Sequence, residues 1–263
     1  LISGEAGIGK TRFACHLQSL LPETKLIYLK CDEILSKSLN PIESFFEEVF
    51  GISGAVSSNT SERVFDRKFR SVVSCHADTE ESEYHGKNLR KLKYVIKGFM
   101  GINEKGEYSR LDPRARFDNT ILAFVHLIRL MASGSRLFVV LDDYQWIDSD
   151  SHSVMGDVFR QLDYLHPVLC VLARPQRHRE KVNIFPEGVS LMRLDIKALE
   201  KEEQMELAEN ILPCEPGDSL RKRIQGLAEG NPLYIEQILL YMQERNMIQL
   251  SGGRAELSRS EEH

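Results

Sequence analysis

Eight residues near the start of the chain, Gly4-Glu5-Ala6-Gly7-Ile8-Gly9-Lys10-Thr11, restrict what it can fold into more than any later stretch. They follow the apolar Leu1-Ile2-Ser3 and carry the spacing G-x-x-x-x-G-K-[ST]. Glycines at the first and sixth positions, with Gly7 between them, let successive backbone N–H groups converge into a concave nest for an anion. A helix beginning near Lys10 adds the positive end of its dipole. Lys10 can then reach a bound polyphosphate as a mobile point charge, while Thr11 offers a hydroxyl to Mg²⁺. Glu5, Ala6, Ile8 and the following Arg12 complete the candidate binding residues of this loop. An apolar strand, a glycine loop and a helix in that order also imply a parallel sheet for the strand to join.

Such a loop needs an acidic partner, and the chain supplies one after Leu137-Phe138-Val139-Val140-Leu141. This run is apolar without alternation, the pattern of a central parallel strand covered on both faces. It ends in Asp142-Asp143-Tyr144-Gln145-Trp146-Ile147-Asp148. Ligands of open α/β sheets bind beyond the carboxyl ends of the strands, so Asp142 is the expected Mg²⁺ residue and Asp143 the residue that orients or activates water. Asp148 is the alternative base. An Asp is one methylene shorter than the Glu of many fast ATPases, and slow turnover is expected. Val168-Leu169-Cys170-Val171-Leu172-Ala173 is a second buried strand, and Arg174 at its end is a candidate sensor of the terminal phosphate; a surface Arg pairing locally is the competing reading.

The remaining chain reads as follows. Thr11 to Leu21 is a helix ended by Pro22, Lys25 to Cys31 a strand, and Asn40-Pro41-Ile42-Glu43 a helix start with Asn40 as cap. Residues 51–110 are the least informative: a polar loop at 51–61, a helix over Glu62 to Val73, an acidic stretch at 77–86, and one basic helix with Leu89, Leu92, Val95, Ile96 and Phe99 on a single face. That basic face suits a solvated surface better than a nucleic acid or membrane. Asp112-Pro113 opens a long helix to about Ala132 with Leu122 among its inward residues, Ser149 to Leu165 is another helix, and Val189 to Ile196 completes about five parallel strands. From Leu199 the pattern is helical: Lys201 to Leu212, Asp218 to Glu229 with Leu220, Ile224 and Leu227 inward, then Gly230-Asn231-Pro232-Leu233 opening a third helix. Met247 to Leu257 closes as a hairpin.

Composition sets few further limits. The 263 residues carry a net charge of −5, so no global field favours nucleic acid. The five cysteines are scattered, without zinc or redox spacing, and read as reduced thiols in a cytoplasmic protein. No apolar run is long enough to span a membrane. The first residue is not Met and the chain opens inside a strand, so a piece of a longer protein is expected.

Taken together, the segments GEAGIGKT, LFVVLDDYQWID, VLARP and GNPLYIEQIL resemble the signal-transduction P-loop ATPases of the STAND class. Within it they are most similar to the AAA-type ATPase modules of large LuxR-type regulators and of multidomain adenylyl or guanylyl cyclases and kinases. The resemblance covers nearly the whole chain, with 51–110 its weak region. It implies a P-loop α/β domain over 1–197 with a helical insertion at about 51–110, a helical lid over 198–246, and the start of a winged helix at 247–263. It further implies that Arg174 contacts the terminal phosphate and that Pro232 packs on adenine. Asp143 stands where related AAA+ machines carry Glu, and no trans-acting arginine finger emerges among Arg177, Arg179 and Arg193.

The expected function is an ATP-binding, slowly hydrolysing regulatory switch that uses Mg²⁺, acts on a cyclase, kinase or helix-turn-helix effector in the same longer chain, and has nucleotide-dependent self-association among its expected partners. A motor-like AAA+ ATPase acting on DNA or protein, and a scaffold that holds nucleotide without cleaving it, use the same residues. The absence of an N/T-K-x-D string favours adenine over guanine.

Overall fold

The computed structural model describes residues 1–33, 37–52, 58–75, 79–102, 106–175, 190–251 and 253–258. In chain order the first elements are β1 (Ile2–Ser3), α1 (Lys10–Ser19), β2 (Thr24–Lys30), α2 (Asn40–Phe50), α3 (Ser58–Cys75), α4 (Glu80–Lys91) and α5 (Lys93–Phe99). Next come α6 (Glu107–Arg110), α7 (Pro113–Ala132), β3 (Arg136–Asp142), α8 (Ser149–Gln161), β4 (Val168–Ala173) and β5 (Leu194–Asp195). The last are α9 (Lys201–Ile211), α10 (Asp218–Ala228), α11 (Pro232–Glu244), β6 (Ile248–Ser251) and β7 (Arg254–Leu257). Among the described residues five strands, β1 to β5, have parallel partners, and helices connect β1 to β2, β2 to β3 and β3 to β4, so the class is α/β, as the sequence implies.

By internal contacts the chain divides into two units, one of Leu1 with Ala14–Met192 and one of Ile2–Phe13 with Arg193–His263. In the first, β2 pairs in parallel with β3, and β3 with β4, in the register Tyr28↔Val140 and Val140↔Cys170. Every residue of β3 from Leu137 to Asp142 is buried, as an apolar run without alternation requires. Phe50 of α2 packs against Phe65 and Phe69 of α3, and Phe45 and Phe46 meet Phe124 of α7 edge-on, joining the helices of the 51–110 region to the sheet's core.

That region is more helical than its sequence suggests. The acidic stretch begins α4, whose first turn holds Glu80, Glu81 and Glu83 at the positive end of the dipole. Thr79 and Ser82 form a reciprocal capping box there, with Ser in the place usually taken by Glu or Gln. The single basic helix is in fact two, α4 and α5, broken at Leu92; Leu89, Leu92, Val95 and Ile96 are nevertheless all buried. Lys93 and Lys97 pair with Asp66 at 2.9 and 2.8 Å and Lys97 with Glu62 at 2.9 Å, so part of the basic face is spent on α3.

Two other expectations change. Asn40 is not the cap of α2: Leu39 is, with φ 62°, while Asn40 Oδ1 accepts from the Asp32 N–H at 3.0 Å. Leu122 is 43% exposed, because it lies one turn beyond the exposed Asp118 on the solvent side of α7.

In the second unit β1 pairs in parallel with β5, Ile2↔Leu194 and Ser3↔Asp195. Val189, the expected start of that strand, lies outside the described residues, and so do Arg177 and Arg179; Arg193 is exposed. Helices α9, α10 and α11 bury Met205, Ala208, Leu220, Ile224, Ile235 and Leu239 together. Leu227, expected inward, is 51% exposed, since the buried stripe of α10 runs Leu220, Ile224, Ala228 and leaves it at the edge. The hairpin forms as expected, with β6 antiparallel to β7 and Ala255 buried. No helix among the described residues is long and apolar enough to cross a membrane.

Candidate functional site

The glycine loop leaves β1 at Gly4 and enters α1 at Lys10. Gly7 and Gly9 have φ 77° and 100°, the left-handed half of conformational space that only glycine enters without strain. A Cβ on Gly9 would touch nothing within 4 Å, so its requirement is purely one of backbone conformation. A Cβ on Gly7 would stand 2.8 Å from Leu233 Cβ and 2.9 Å from Asn231 Oδ1, so at that position close packing adds to the demand.

Lys10 is only 7% exposed, and its Nζ donates to the carbonyls of Gly4 and Glu5 at 2.9 Å each. An ammonium held by two backbone carbonyls is a positive centre kept inside the loop. Thr11 and Arg12 stand exposed in the first turn of α1, which contains no acidic residue to oppose an anion. Glu5 and Ala6 are exposed, Ile8 buried, and Gly4 buried against Ile196.

The loop is also tied to α11. Asn231 caps that helix by accepting from the Leu233 N–H at 3.1 Å, and its Nδ2 donates to the Ala6 carbonyl at 2.8 Å. Leu233 N–H further reaches the Gly7 carbonyl at 3.4 Å. Pro232, the expected base-packing residue, is half-buried in the first helical turn beside Asn231. The sequence marks Gly230-Asn231-Pro232-Leu233 as the start of this helix but gives no sign of the bond from Asn231 to Ala6.

In the first unit the acids gather at the end of β3. Asp142 is 6% exposed; its Oδ2 accepts from the Tyr28 hydroxyl at 2.5 Å and its Oδ1 from the Asp143 N–H at 2.8 Å. Burial, followed by the carboxylate of Asp142, pushes the Tyr28 hydroxyl well above its ordinary pKa, so it remains a donor. Tyr28 comes from the neighbouring strand, where alternation sends its side chain to the face shared with Asp142, a partnership with no local signature.

Asp143 has φ 53°, and its half-buried carboxylate accepts from Gln145 Nε2 at 2.9 Å. Gln145 Oε1 accepts in turn from the Arg174 backbone N–H at 3.1 Å. The Arg174 guanidinium is exposed and lies 6.0 Å from the centroid of the Trp146 ring. Asp142, Asp143 and Arg174 therefore belong to one cluster, with Tyr28 and Gln145 as members that sequence reasoning did not find.

Asp148 is differently placed. Its Oδ1 accepts from Leu39 N–H at 3.2 Å and Ser151 N–H at 2.8 Å, and its Oδ2 from Asn40 N–H at 3.1 Å and Ser151 Oγ at 2.7 Å. It caps α8 and, from a distance, α2. A carboxylate whose two oxygens accept from four donors on three residues is a structural anchor.

Taken unit by unit, these residues have the chemistry that a nucleoside triphosphate and Mg²⁺ require. The loop combines left-handed glycines, a fixed ammonium and a helix start free of acids, while Thr11 and Asp142 offer the hard oxygen donors that Mg²⁺ prefers. Among the described residues no group of three His, Cys, Asp or Glu is placed to hold a metal ion by itself.

The chain is 22% identical over 255 residues to an uncharacterized protein of Rhizobium meliloti (strain 1021), a match covering 93% of this chain and 22% of the relative. The chain thus spans about a fifth of the length of that relative. A family model described as AAA ATPase domain matches residues 1–172, taking in the glycine loop, Asp142 and Asp143 at the end of β3 and nearly all of β4, and the chain belongs to that family.

Proposed function

We propose that this AAA ATPase domain is an ATP-binding, slowly hydrolysing switch module of the STAND type, built into a larger cytoplasmic signalling protein. The observation that carries the reading is the attachment of α11 to the loop, Asn231 to Ala6 at 2.8 Å and Leu233 to Gly7 at 3.4 Å. A loop that shares hydrogen bonds with the start of a helix cannot rearrange around an anion without changing the seat of that helix.

In this reading the backbone from Gly4 to Gly9, with Lys10, holds the β- and γ-phosphates, and Glu5, Ala6, Ile8 and Arg12 line their surroundings. Thr11 and Asp142 would hold Mg²⁺, with Tyr28 fixing the carboxylate of Asp142. Bound Mg²⁺ supplies charge neutralisation at the phosphate oxygens. Asp143 orients or activates the attacking water, Arg174 contacts the terminal phosphate, and Pro232 packs on the adenine. Asp in place of Glu supports slow turnover. A match covering almost all of this chain but a fifth of its relative supports a module that works on an effector elsewhere in a longer protein, a cyclase, kinase or helix-turn-helix segment. Nucleotide-dependent self-association belongs to the same proposal.

A switch requires ATP and ADP to prefer different forms; turning a mostly open population mostly closed takes about 5 kcal/mol of differential affinity. One γ-phosphate engaged by a Lys, an Arg and a metal is sufficient in kind. The test is hydrogen exchange along α11 with ATP, ADP and no nucleotide, alongside calorimetric binding for wild type and Lys10→Ala. Protection of α11 that differs between ATP and ADP, and loss of binding in Lys10→Ala, is the expected result. Identical α11 exchange in all three conditions would exclude the switch, and hydrolysis well above about one per second stimulated by DNA would point to a motor.

A further inference from the structure

Gln145 lies in the short turn Tyr144–Trp146 directly after the acids, and both ends of its side-chain amide are engaged. Nε2 donates to Asp143 Oδ1 at 2.9 Å and Oε1 accepts from the Arg174 N–H at 3.1 Å. Such an amide has a direction. Turned over, it would set oxygen against carboxylate and NH₂ against N–H, so the two partners hold it in one sense. It spans the end of β3 and the end of β4, the two places from which the acid and the Arg emerge. The carboxylate of Asp143 accepts from Gln145, and its backbone is itself held at φ 53°.

Taking the roles assigned to Asp143 and Arg174 above as its basis, we propose that Gln145 is a positioning residue that couples them, transmitting displacement of Arg174 to the carboxylate of Asp143. Hydrogen bonds weaken steeply beyond about 3.5 Å. A shift of the Arg174 backbone by a few tenths of an ångström therefore either draws the amide along or breaks the tie. When Arg174 closes on a terminal phosphate, the aim of Asp143 changes with it; when Arg174 relaxes, Asp143 returns to its resting contact. Contact at the phosphate and readiness of the water-orienting group become one event.

Two variants test this. Gln145→Leu keeps most of the volume and loses both bonds; Gln145→Glu keeps the acceptor facing Arg174 but sets a second carboxylate against Asp143. In nucleotide-free protein, amide exchange at Arg174 followed by NMR should quicken about tenfold in Gln145→Leu and stay near wild type in Gln145→Glu. With Mg²⁺-ATP, both variants should lose about tenfold in kcat at unchanged KM, and Gln145→Leu should add no further loss in an Asp143→Asn background. Wild-type exchange at Arg174 in Gln145→Leu overturns the tie. So does a loss of kcat that multiplies fully with that of Asp143→Asn, since the residue would then act elsewhere. If Asp143→Asn alone leaves hydrolysis intact, it is the functional reading of Asp143 that fails, and the coupling falls with it even where exchange at Arg174 confirms the bond. Gln145→Met replaces the Leu variant should the latter fold poorly.

Discussion

Asn231 holds two elements with one amide: its oxygen caps α11 at the Leu233 N–H, 3.1 Å away, and its nitrogen donates to the Ala6 carbonyl of the glycine loop at 2.8 Å. The two halves can be separated by substitution. Asn231→Asp keeps the acceptor for the cap but loses the donor and sets a negative charge beside a carbonyl and the phosphate nest. Asn231→Ala loses both. Thermal denaturation should show Asn231→Asp close to wild type and Asn231→Ala destabilised by about 1 kcal/mol. Calorimetry should show ATP affinity lowered in both, more strongly in Asn231→Asp. Wild-type affinity in Asn231→Asp would remove the loop tie from any account of nucleotide binding.

Tyr28 steadies Asp142. Tyr28→Phe removes one donor from a buried carboxylate, an interaction with a charged group worth about 2 kcal/mol. The Mg²⁺ concentration for half-maximal hydrolysis is expected to rise several-fold, while metal-free nucleotide binding through Lys10 is kept. A Mg²⁺ titration of ATP turnover checks it.

Asp143 and Asp148 should behave as opposites. Asp143→Asn is expected to cut hydrolysis about 10²-fold or more, with binding and melting temperature little changed. Asp148→Ala leaves Leu39, Asn40 and Ser151 without their shared acceptor and uncaps two helices, for a loss of about 2–4 kcal/mol in stability. Chemical denaturation and steady-state turnover on both variants separate the roles; a fully stable Asp148→Ala would refute the anchor.

A pH effect follows from α4 and α7. His85 Nδ1 and His126 Nδ1 lie 2.8 Å apart in a buried contact, where one ring donates and the other accepts. Burial, then the neighbouring His85 and Arg129, holds His126 down to about 4, and His85 moves in the same direction, chiefly through burial, with Arg129 adding and Glu81 opposing. A folded pKa below the unfolded one means that the unfolded chain binds more protons between about 6.5 and 4. The contribution is complete above about pH 6.5 and is lost as pH falls through that window, up to about 3 kcal/mol for His126. Urea denaturation at pH 7.5 and pH 5 should show the loss, and His126→Leu should remove much of the difference.

The sequence by itself determined the parts whose physics is local. Left-handed glycines, the following Lys10 and Thr11, the unbroken apolar strand with Asp142 and Asp143 at its end, and the cap at Asp112 are each specified within about a dozen neighbouring residues. The doubly covered strand and the α/β class follow from such patterns, because burial on both faces leaves no polar alternation to disguise it. What only the tertiary structure decided are bonds between residues far apart: Tyr28 with Asp142 across 114 positions, Leu39 with Asp148 across 109, Asn231 with Ala6 across 225. No residue type or spacing announces them. They form because packing delivers a donor to an acceptor that burial would otherwise leave costly, and that demand arises only once the chain has folded. So Asp148, which reads along the chain as a spare acid, is an anchor, and Gln145, which reads as a polar filler, joins the two groups assigned to the chemistry.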